Sequence, residues 1–296
     1  MAERRIRRVL VAVKRTAFAR LTKDDSEHAS RMLDLIARDA PSVHGLKASH
    51  EEHQQSLQEV RRILRQRDLE VVERSKLPAR PIEGFDLLIA VGGDGMVLGL
   101  SHAVRSSIPV LGINSAPSFS VGYLSGCRAD DLAETLDRIE SNELEPVEVQ
   151  RLQVAISKKV LPEPVLNDAL FCADHPALIC KYRLQWPDGS EVQRSSGVWV
   201  STPAGSTSAL ASAGGPILPL TTRQFAFLVR EPYSPPGESV RLRSAVLAED
   251  QALSLECRTA EASVFLDGSH RQYPVAFGET VSFRLHPQPL RLFHST

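Results

Sequence analysis

The sequence predicts an α/β N-terminal domain with a parallel sheet, followed by a C-terminal domain rich in antiparallel β structure. Three observations predict it. Short apolar runs alternate with stretches of helical periodicity through the first third. From Glu145 onward the texture changes to short alternating runs broken by Pro, Gly and Asp-Gly turns. Within the first of these regimes, Asp86 leads into Leu87-Leu88-Ile89-Ala90-Val91, five apolar residues in a row ending in Gly92-Gly93-Asp94-Gly95. That is the strand, tight turn and helix start of a ligand-binding βα unit.

Taken in order, Arg8 to Val13 reads as a first buried strand. Ser26 to Arg38 and Glu51 to Arg67 read as helices. In the second, Leu57, Val60, Ile63 and Leu64 share one face, and the arginines around them read as a solvated face. Leu69 to Val72 is a short strand, Met96 to Val104 a helix, Ile108 to Ile113 a buried strand and Asp130 to Glu140 a helix. Beyond these, strands are predicted at Gln153–Ser157, Tyr182–Trp186, Gly197–Ser201, Phe225–Val229, Ala252–Glu256 and Ser263–Leu266. The last run, Glu279 to Phe293, reads as a return toward the first domain. The expected domains are 1–128, 129–278 and a returning segment 279–296.

Size and composition exclude several classes. A chain of 296 residues with 42% hydrophobic residues can build two real cores. A formal net charge of −1 gives no global pull toward nucleic acid or an anionic membrane. No apolar run approaches a membrane span, so no membrane partner is expected. The basic start, Met1 to Arg8, passes directly into Val9–Val13, a run shorter than a signal-peptide core. Cys127, Cys172, Cys180 and Cys257 form no Cys-x-x-Cys pair. Reduced thiols in a cytoplasmic protein are the expectation. His50 and His53 are spaced i, i+3 with no third ligand in sight and read as solvated helix residues; no metal site is expected. Trp186 and Trp199 read as core or interface residues, and His270 as part of a hairpin tip.

The chemistry concentrates in a few motifs. In Gly92-Gly93-Asp94-Gly95, glycines permit positive φ and let a ligand approach bare backbone, while N–H groups at the helix start face an anion. A carboxylate in a phosphate-friendly turn needs a reason: to hold a metal, or to take a proton from a hydroxyl attacking phosphorus. Gly-Asp-Gly is also an ordinary turn. Asn114 sits at the carboxyl end of the next strand, the ligand end of such sheets. The second motif, Ser201-Thr202-Pro203-Ala204-Gly205-Ser206-Thr207-Ser208-Ala209, presents hydroxyls and backbone N–H groups suited to ribose, phosphate or carboxamide. Its plain alternative is a helix capped at Ser206. Asn167-Asp168 can hold a diol or make a turn.

Gly92-Gly93-Asp94-Gly95, Asn167-Asp168, the Ser201–Thr207 motif with Gly214-Gly215-Pro216, and Asp267-Gly268 together resemble, in order and spacing, the motifs of the NAD kinase family. Lys14-Arg15-Thr16, Gly112-Ile113-Asn114-Ser115-Ala116-Pro117 and Ser195-Ser196-Gly197 are more similar to its mitochondrial-type branch and bacterial relatives. The resemblance implies an NAD kinase-like two-domain architecture and transfer of the γ-phosphoryl of ATP to the 2′-hydroxyl of the NAD adenosine ribose, giving NADP. It implies Asp94 as general base, and Gly92, Gly93 and Gly95 beside the donor phosphates. Asn114, Asn167, Asp168, Thr202, Gly205, Ser206, Thr207, Ser208 and Asp267 are implied as nucleotide-binding residues. It further implies Mg²⁺ arriving with ATP, NAD and ATP as substrates, no nucleic-acid partner, and a homo-oligomer, dimer or tetramer.

The chain departs from the family pattern at four positions. Asp168 stands where Glu is usual, shortening the reach by one methylene. Ala204 and Ala209 stand where the second motif has Thr and Tyr, which removes a stacking surface. Met96 replaces a Thr near the phosphates. Two rival readings share the motifs: a diacylglycerol-type lipid kinase, which would need an apolar entry, and a non-catalytic NAD(P)-binding sensor, for which Asp94 would have no use.

Overall fold

The computed structural model describes residues 5–78, 80–234, 236–237 and 239–294, so Met1 to Arg4 of the basic start and the last two residues of the returning segment lie outside it. The chain divides into two compact units, residues 1–147 with 291–296, and residues 148–290.

The first unit runs β1 (Arg8–Val13), α1 (Ala17–Leu21), α2 (Glu27–Ala37), α3 (Leu46–Arg65), β2 (Glu70–Arg74), β3 (Leu87–Gly92), α4 (Asp94–Ser101), β4 (Val110–Asn114), β5 (Cys127–Arg128) and α5 (Leu132–Glu140). β6 (Val147–Val149) lies at the unit boundary. The sheet order is β2-β1-β3-β4, with β5 beside β4, and these pairings are parallel. Every residue of β3 and β4 is buried, as expected of strands covered on both faces. On one face Val9, Val11, Ile89, Val91 and Ile113 pack against the apolar stripes of α3 and α5. α4 approaches the other face, where a Cβ on Gly112 would lie 3.0 Å from Val97.

Helix α5 was expected with the second domain. In the structure its Leu132, Leu136 and Ile139 belong to the first unit's core, so this unit runs well past residue 128.

The second unit begins with β7 (Leu152–Ile156), β8 (Lys159–Val160), β9 (Asp168–Ala173), β10 (Cys180–Trp186), β11 (Gly189–Ser195), β12 (Gly197–Ser201) and α6 (Ala209–Ser212). It continues with β13 (Gln224–Arg230), β14 (Ser244–Ala248), β15 (Leu253–Cys257), β16 (Ala262–Leu266), β17 (Gln272–Val275) and β18 (Thr280–Leu285). Two six-stranded antiparallel sheets form, β11-β10-β15-β18-β7-β8 and β14-β13-β12-β9-β16-β17. Alternate side chains of both sheets meet in one core around Phe171, Tyr182, Phe225, Phe227 and Phe283. Phe171 and Tyr182 meet edge to face, ring centroids 5.9 Å apart.

The predicted return of segment 279–296 divides in two. β18 alternates buried and partly exposed residues and stays in the second unit's sheet. Only β19 (Leu290–Phe293), buried nearly throughout, pairs in parallel with β4, Leu292 opposite Val110.

Candidate active site

In the first unit, β3 ends at Gly92, Gly93 precedes the helix, and Asp94 is the first residue of α4. The helix therefore begins two residues earlier than its apolar spacing indicates. The three glycines of this loop permit positive φ, but none of them adopts it. Room dictates them instead. A Cβ on Gly92 would lie 2.8 Å from Met96 Cβ, and one on Gly93 2.6 Å from Ser120 Oγ. A Cβ on Gly95 would meet nothing within 4 Å. Packing against the Met96 Cβ forces the first glycine, the Ser120 hydroxyl crowds the second, and the third presents bare backbone to open space.

Asp94 is aimed by a second loop. Its Oδ1 accepts the Leu124 N–H at 2.7 Å and its Oδ2 the Tyr123 N–H at 3.0 Å. Each oxygen keeps acceptor capacity for a hydroxyl. That loop is organised by Asn114, directly opposite Gly92 in the sheet. Asn114 Nδ2 donates to Ser120 O at 2.9 Å and its Oδ1 accepts the Ala116 N–H at 3.3 Å. Gly122 has φ +67°, and a Cβ there would lie 2.5 Å from Asn114 Nδ2, so both backbone conformation and space require glycine.

His53 corrects the expectation of a solvated residue. It is 1% exposed, its Nδ1 lies 2.7 Å from Ser115 Oγ, and the Ser115 N–H donates to Gly92 O at 3.0 Å. Burial, reinforced by the Lys14 charge, pushes its imidazole down to about 4, so it is neutral at physiological pH. The signal was present: His53, Leu57, Val60 and Leu64 form one continuous buried stripe of α3. His50, one turn earlier, lies 2.7 Å from Thr16 Oγ1 through its Nδ1. Among the described residues, no three His, Cys, Asp or Glu side chains gather as a metal site.

In the second unit, three motifs distant in sequence converge at the ends of adjacent strands. Asp168 opens β9 opposite Ser201, the last residue of β12, and the Asp267 N–H after β16 donates to Asp168 O at 2.9 Å. Asn167-Asp168 is thus a strand entry rather than a free turn. Asp267, at φ +48°, accepts three backbone N–H groups: Leu166 at 2.9 Å, Asn167 at 2.7 Å and Asp168 at 3.1 Å. Thr202 is fully buried, donates to Leu166 O at 2.6 Å and accepts the Gly205 N–H at 3.1 Å. A Cβ on Gly205 would lie 2.1 Å from Asn167 O, so only glycine fits.

Ser206 does not cap a helix as expected. Its hydroxyl donates to Pro203 O at 2.7 Å and accepts the Leu218 N–H at 2.9 Å, while α6 starts only at Ala209. Gly205–Thr207 is a short 3₁₀ turn. What remains presented is a small polar set. Asn167 Nδ2 donates to Asp168 Oδ2 at 2.9 Å and to Ser208 Oγ at 3.2 Å, and Thr207 is exposed.

Asp168 and Asp267 form a buried carboxyl pair. Burial and then the Asp267 charge push Asp168 up to about 7. Asp267, with three N–H donors, holds the charge, and Asp168 takes the proton near neutrality. A cavity of about 500 Å³ opens at Asp168, lined among others by Leu170, Cys172, Trp199, Arg230 and Phe265. The Arg230 guanidinium lies over the Trp199 ring, 5.7 Å from its centroid. Sequence reasoning missed Arg230 in this role, because nothing in a strand's sequence tells which outward residue borders a ligand. The four cysteines are free, and burial pushes the Cys127 and Cys180 thiols up to about 12. His270 lies in an exposed turn.

A glycine loop opening a helix on an aimed carboxylate, with a hydroxyl-rich loop on a β sandwich, defines a phosphotransferase class of two-domain protein. Residues 18–144 match the family described as ATP-NAD kinase N-terminal domain, and residues 167–295 the ATP-NAD kinase C-terminal domain. The chain is 31% identical over 252 residues to a probable NADH kinase of Oryza sativa subsp. japonica, covering 77% of each chain. It is 32% identical over 222 residues to an NAD kinase of Pseudomonas savastanoi pv. phaseolicola, covering 72% and 71%. The fold is similar to the crystal structure of an NAD kinase from Archaeoglobus fulgidus in complex with ATP, with a TM-score of 0.69 at 20% identity over 97% and 93% of the two chains. The chain belongs to the ATP-NAD kinase family.

Proposed function

We infer that this protein is an ATP-dependent NAD kinase, transferring the γ-phosphoryl of ATP to the 2′-hydroxyl of the NAD adenosine ribose to give NADP. The observation that carries the reading is Asp94 in the first turn of α4, both oxygens fixed by backbone N–H groups, beside the open face of Gly95. Family membership and a relative named NAD kinase support the substrates. NADH is an acceptor to compare in the same assay, since another relative is named NADH kinase.

In this reading the 2′-hydroxyl donates its hydrogen bond to Asp94. Its oxygen attacks the γ-phosphorus while the bond to the β,γ-bridging oxygen breaks. The proton passes to the Asp94 carboxylate, and ADP leaves. In a loose transition state the nucleophile is scarcely deprotonated when phosphorus moves, so Asp94 acts as much by orienting as by basicity. Mg²⁺ enters as part of the MgATP substrate and offsets charge on the phosphates.

Asn167, Asp168, Thr207 and Ser208 contact the acceptor, and the cavity at Asp168 receives it. A volume of about 500 Å³ with apolar walls and a few polar groups is of ligand-site size. Thr202, Gly205, Ser206, Asn114 and Asp267 act by shaping the loops that present these groups, since their own polar atoms are taken up by backbone. Gly92 and Gly93 let the loop pack, and Gly95 admits the donor phosphates. We further propose a cytoplasmic homo-oligomer, dimer or tetramer, with no nucleic-acid or membrane partner; no helix among the described residues is long and apolar enough to cross a membrane.

The test is NADP formation from ATP, Mg²⁺ and NAD, read with an NADP-specific dehydrogenase. A chain that binds NAD and forms no NADP would be a sensor. One that does neither would return the lipid kinase reading.

A further inference from the structure

Lys14 directly follows β1, and its N–H donates to Val91 O at 3.0 Å. Val13 lies opposite Val91 in parallel pairing, and Gly92 lies opposite Asn114. Lys14, Gly92 and Asn114 therefore form a row across the carboxyl end of the sheet, where open α/β sheets bind ligands. Side chains alternate along a strand. Val13 and Val91 belong to the core packed against α3 and α5, so the next residues, Lys14 and Gly92, face the side of α4. The contacts agree: a Cβ on Gly92 would lie 3.2 Å from Lys14 Cβ and 2.8 Å from Met96 Cβ of α4. Lys14 is seated beside the glycine loop, on the face where Asp94 opens the helix.

Three features mark it as more than a surface charge. Its side chain is exposed and makes no hydrogen bond or ion pair among the described residues. Neither residues 92–101, which form the glycine loop and α4, nor residues 115–126, which aim Asp94, include a Lys or Arg. Those two walls of the site carry a carboxylate and no cation, whereas the end of β1 carries Lys14 and Arg15. Burial, and then the Lys14 charge, hold the His53 imidazole neutral. His53 in turn meets Ser115, whose N–H donates to Gly92 O, so the ammonium acts at this same end of the sheet.

We propose that Lys14 is a catalytic residue of the phosphoryl transfer, its ammonium resting on the terminal phosphoryl group and following it through the transition state. The proposal rests on the kinase reading above. As the bond between the γ-phosphorus and the β,γ-bridging oxygen breaks, charge gathers on that oxygen and on the three equatorial oxygens. The 2′-hydroxyl oxygen takes the phosphoryl group, Asp94 takes the proton, and Lys14 keeps its own. A compact ammonium on a flexible four-carbon stem suits this task, since it can stay with a group that moves from donor to acceptor. It also offsets the Asp94 carboxylate, which would otherwise repel an incoming triphosphate. Mg²⁺ arrives with the donor, and Lys14 is the protein's own counter-charge.

Three variants of the full chain test this. Lys14→Met keeps the stem and removes the charge, Lys14→Arg keeps a charge, and Arg15→Ala removes an equal exposed charge one residue on. In steady-state kinetics with ATP, Mg²⁺ and NAD, Lys14→Met is expected to lower kcat about 100-fold, with KM for NAD within about twofold of wild type. Lys14→Arg should recover about tenfold of that loss, and Arg15→Ala should stay within about threefold of wild type. A kcat for Lys14→Met within about threefold of wild type overturns the assignment, as does an equal loss in Arg15→Ala, which would make the effect one of general charge. Calorimetric titration with Mg²⁺ and without NAD reads the same contact without turnover. AMP-PNP, which carries the third phosphate, should bind Lys14→Met about fivefold more weakly than wild type, and ADP, which lacks it, should bind the two within about twofold. Equal weakening of both, weakening of neither, or no binding of AMP-PNP to wild type overturns the assignment. If wild type makes no NADP, the kinase reading fails on its own, and the titration alone then decides whether Lys14 meets the terminal phosphate.

Discussion

Asp94 Oδ1 lies 2.7 Å from the backbone nitrogen of Leu124, tying the proposed base to a loop 30 residues further along the chain. The base is therefore positioned by backbone, and backbone is positioned by Gly122. Gly122→Ala places a methyl group 2.5 Å from Asn114 Nδ2 at a φ that L residues avoid. The loop must shift, and Asp94 with it. Displacements near 1 Å cost on the order of 100-fold. The expected outcome is a fall in kcat of about tenfold to 100-fold with KM for NAD little changed, measured by steady-state kinetics.

His53 braces the same region from below through Ser115. His53→Ala removes a buried ring and leaves the Ser115 hydroxyl unpaired, so a loss of about 2–4 kcal/mol is expected in denaturant unfolding. The wild type should also show this histidine in its pH dependence. The folded protein keeps the ring neutral down to about pH 4, whereas the unfolded chain protonates it near 6.5. As pH falls from 6.5 to 4, the unfolded state binds more protons, and stability drops by on the order of 3 kcal/mol. His53→Gln should flatten that part of the profile.

Asp168 predicts the opposite slope. Its folded pKa, about 7, lies above its ordinary 3.8, so the folded state binds the extra proton between these values and stability falls as pH rises through them. Asp168→Asn removes the charge that burial and Asp267 oppose. The variant should gain on the order of 2 kcal/mol over wild type at pH 8 and nothing at pH 4, while binding NAD more weakly. Thermal unfolding at the two pH values, with an NAD titration, checks both parts.

Ala209 is the first residue of α6, next to Ser208, which accepts from Asn167. Ala209→Tyr restores the aromatic that the family pattern has there. A stacking contact contributes on the order of 1 kcal/mol, so NAD should bind about fivefold more tightly. Unchanged affinity would count against a missing stack.

The glycine loop was legible because five apolar residues ending at glycines admit few alternatives, and β3 and α4 formed there with only the helix start displaced. The polar strands were not. β11, β14 and β17 each pair on one side alone or close a sheet edge, and edge strands need no apolar alternation. Pro274 sits in β17 for the same reason. Asn167-Asp168 left a diol-holding pair and a turn both open, because both residues favour turns, and only Asp267, some 100 residues on, makes it a strand entry. The donors to Asp94 were invisible in principle, since Tyr123 and Leu124 contribute backbone N–H groups that any residue carries. His53 was legible, but only by extending the apolar stripe of α3 across a polar residue.

The central claim is that Asp94 orients and deprotonates the 2′-hydroxyl of NAD. Asp94→Asn tests it most directly, run beside wild type with ATP, Mg²⁺ and NAD. Asparagine can accept only one of the two backbone N–H bonds, so NAD binding is measured alongside turnover to separate loop damage from lost chemistry. The account predicts NADP from wild type, and a kcat lowered by about 1,000-fold or more in the variant with NAD affinity within about threefold. Near-normal turnover in Asp94→Asn would contradict it.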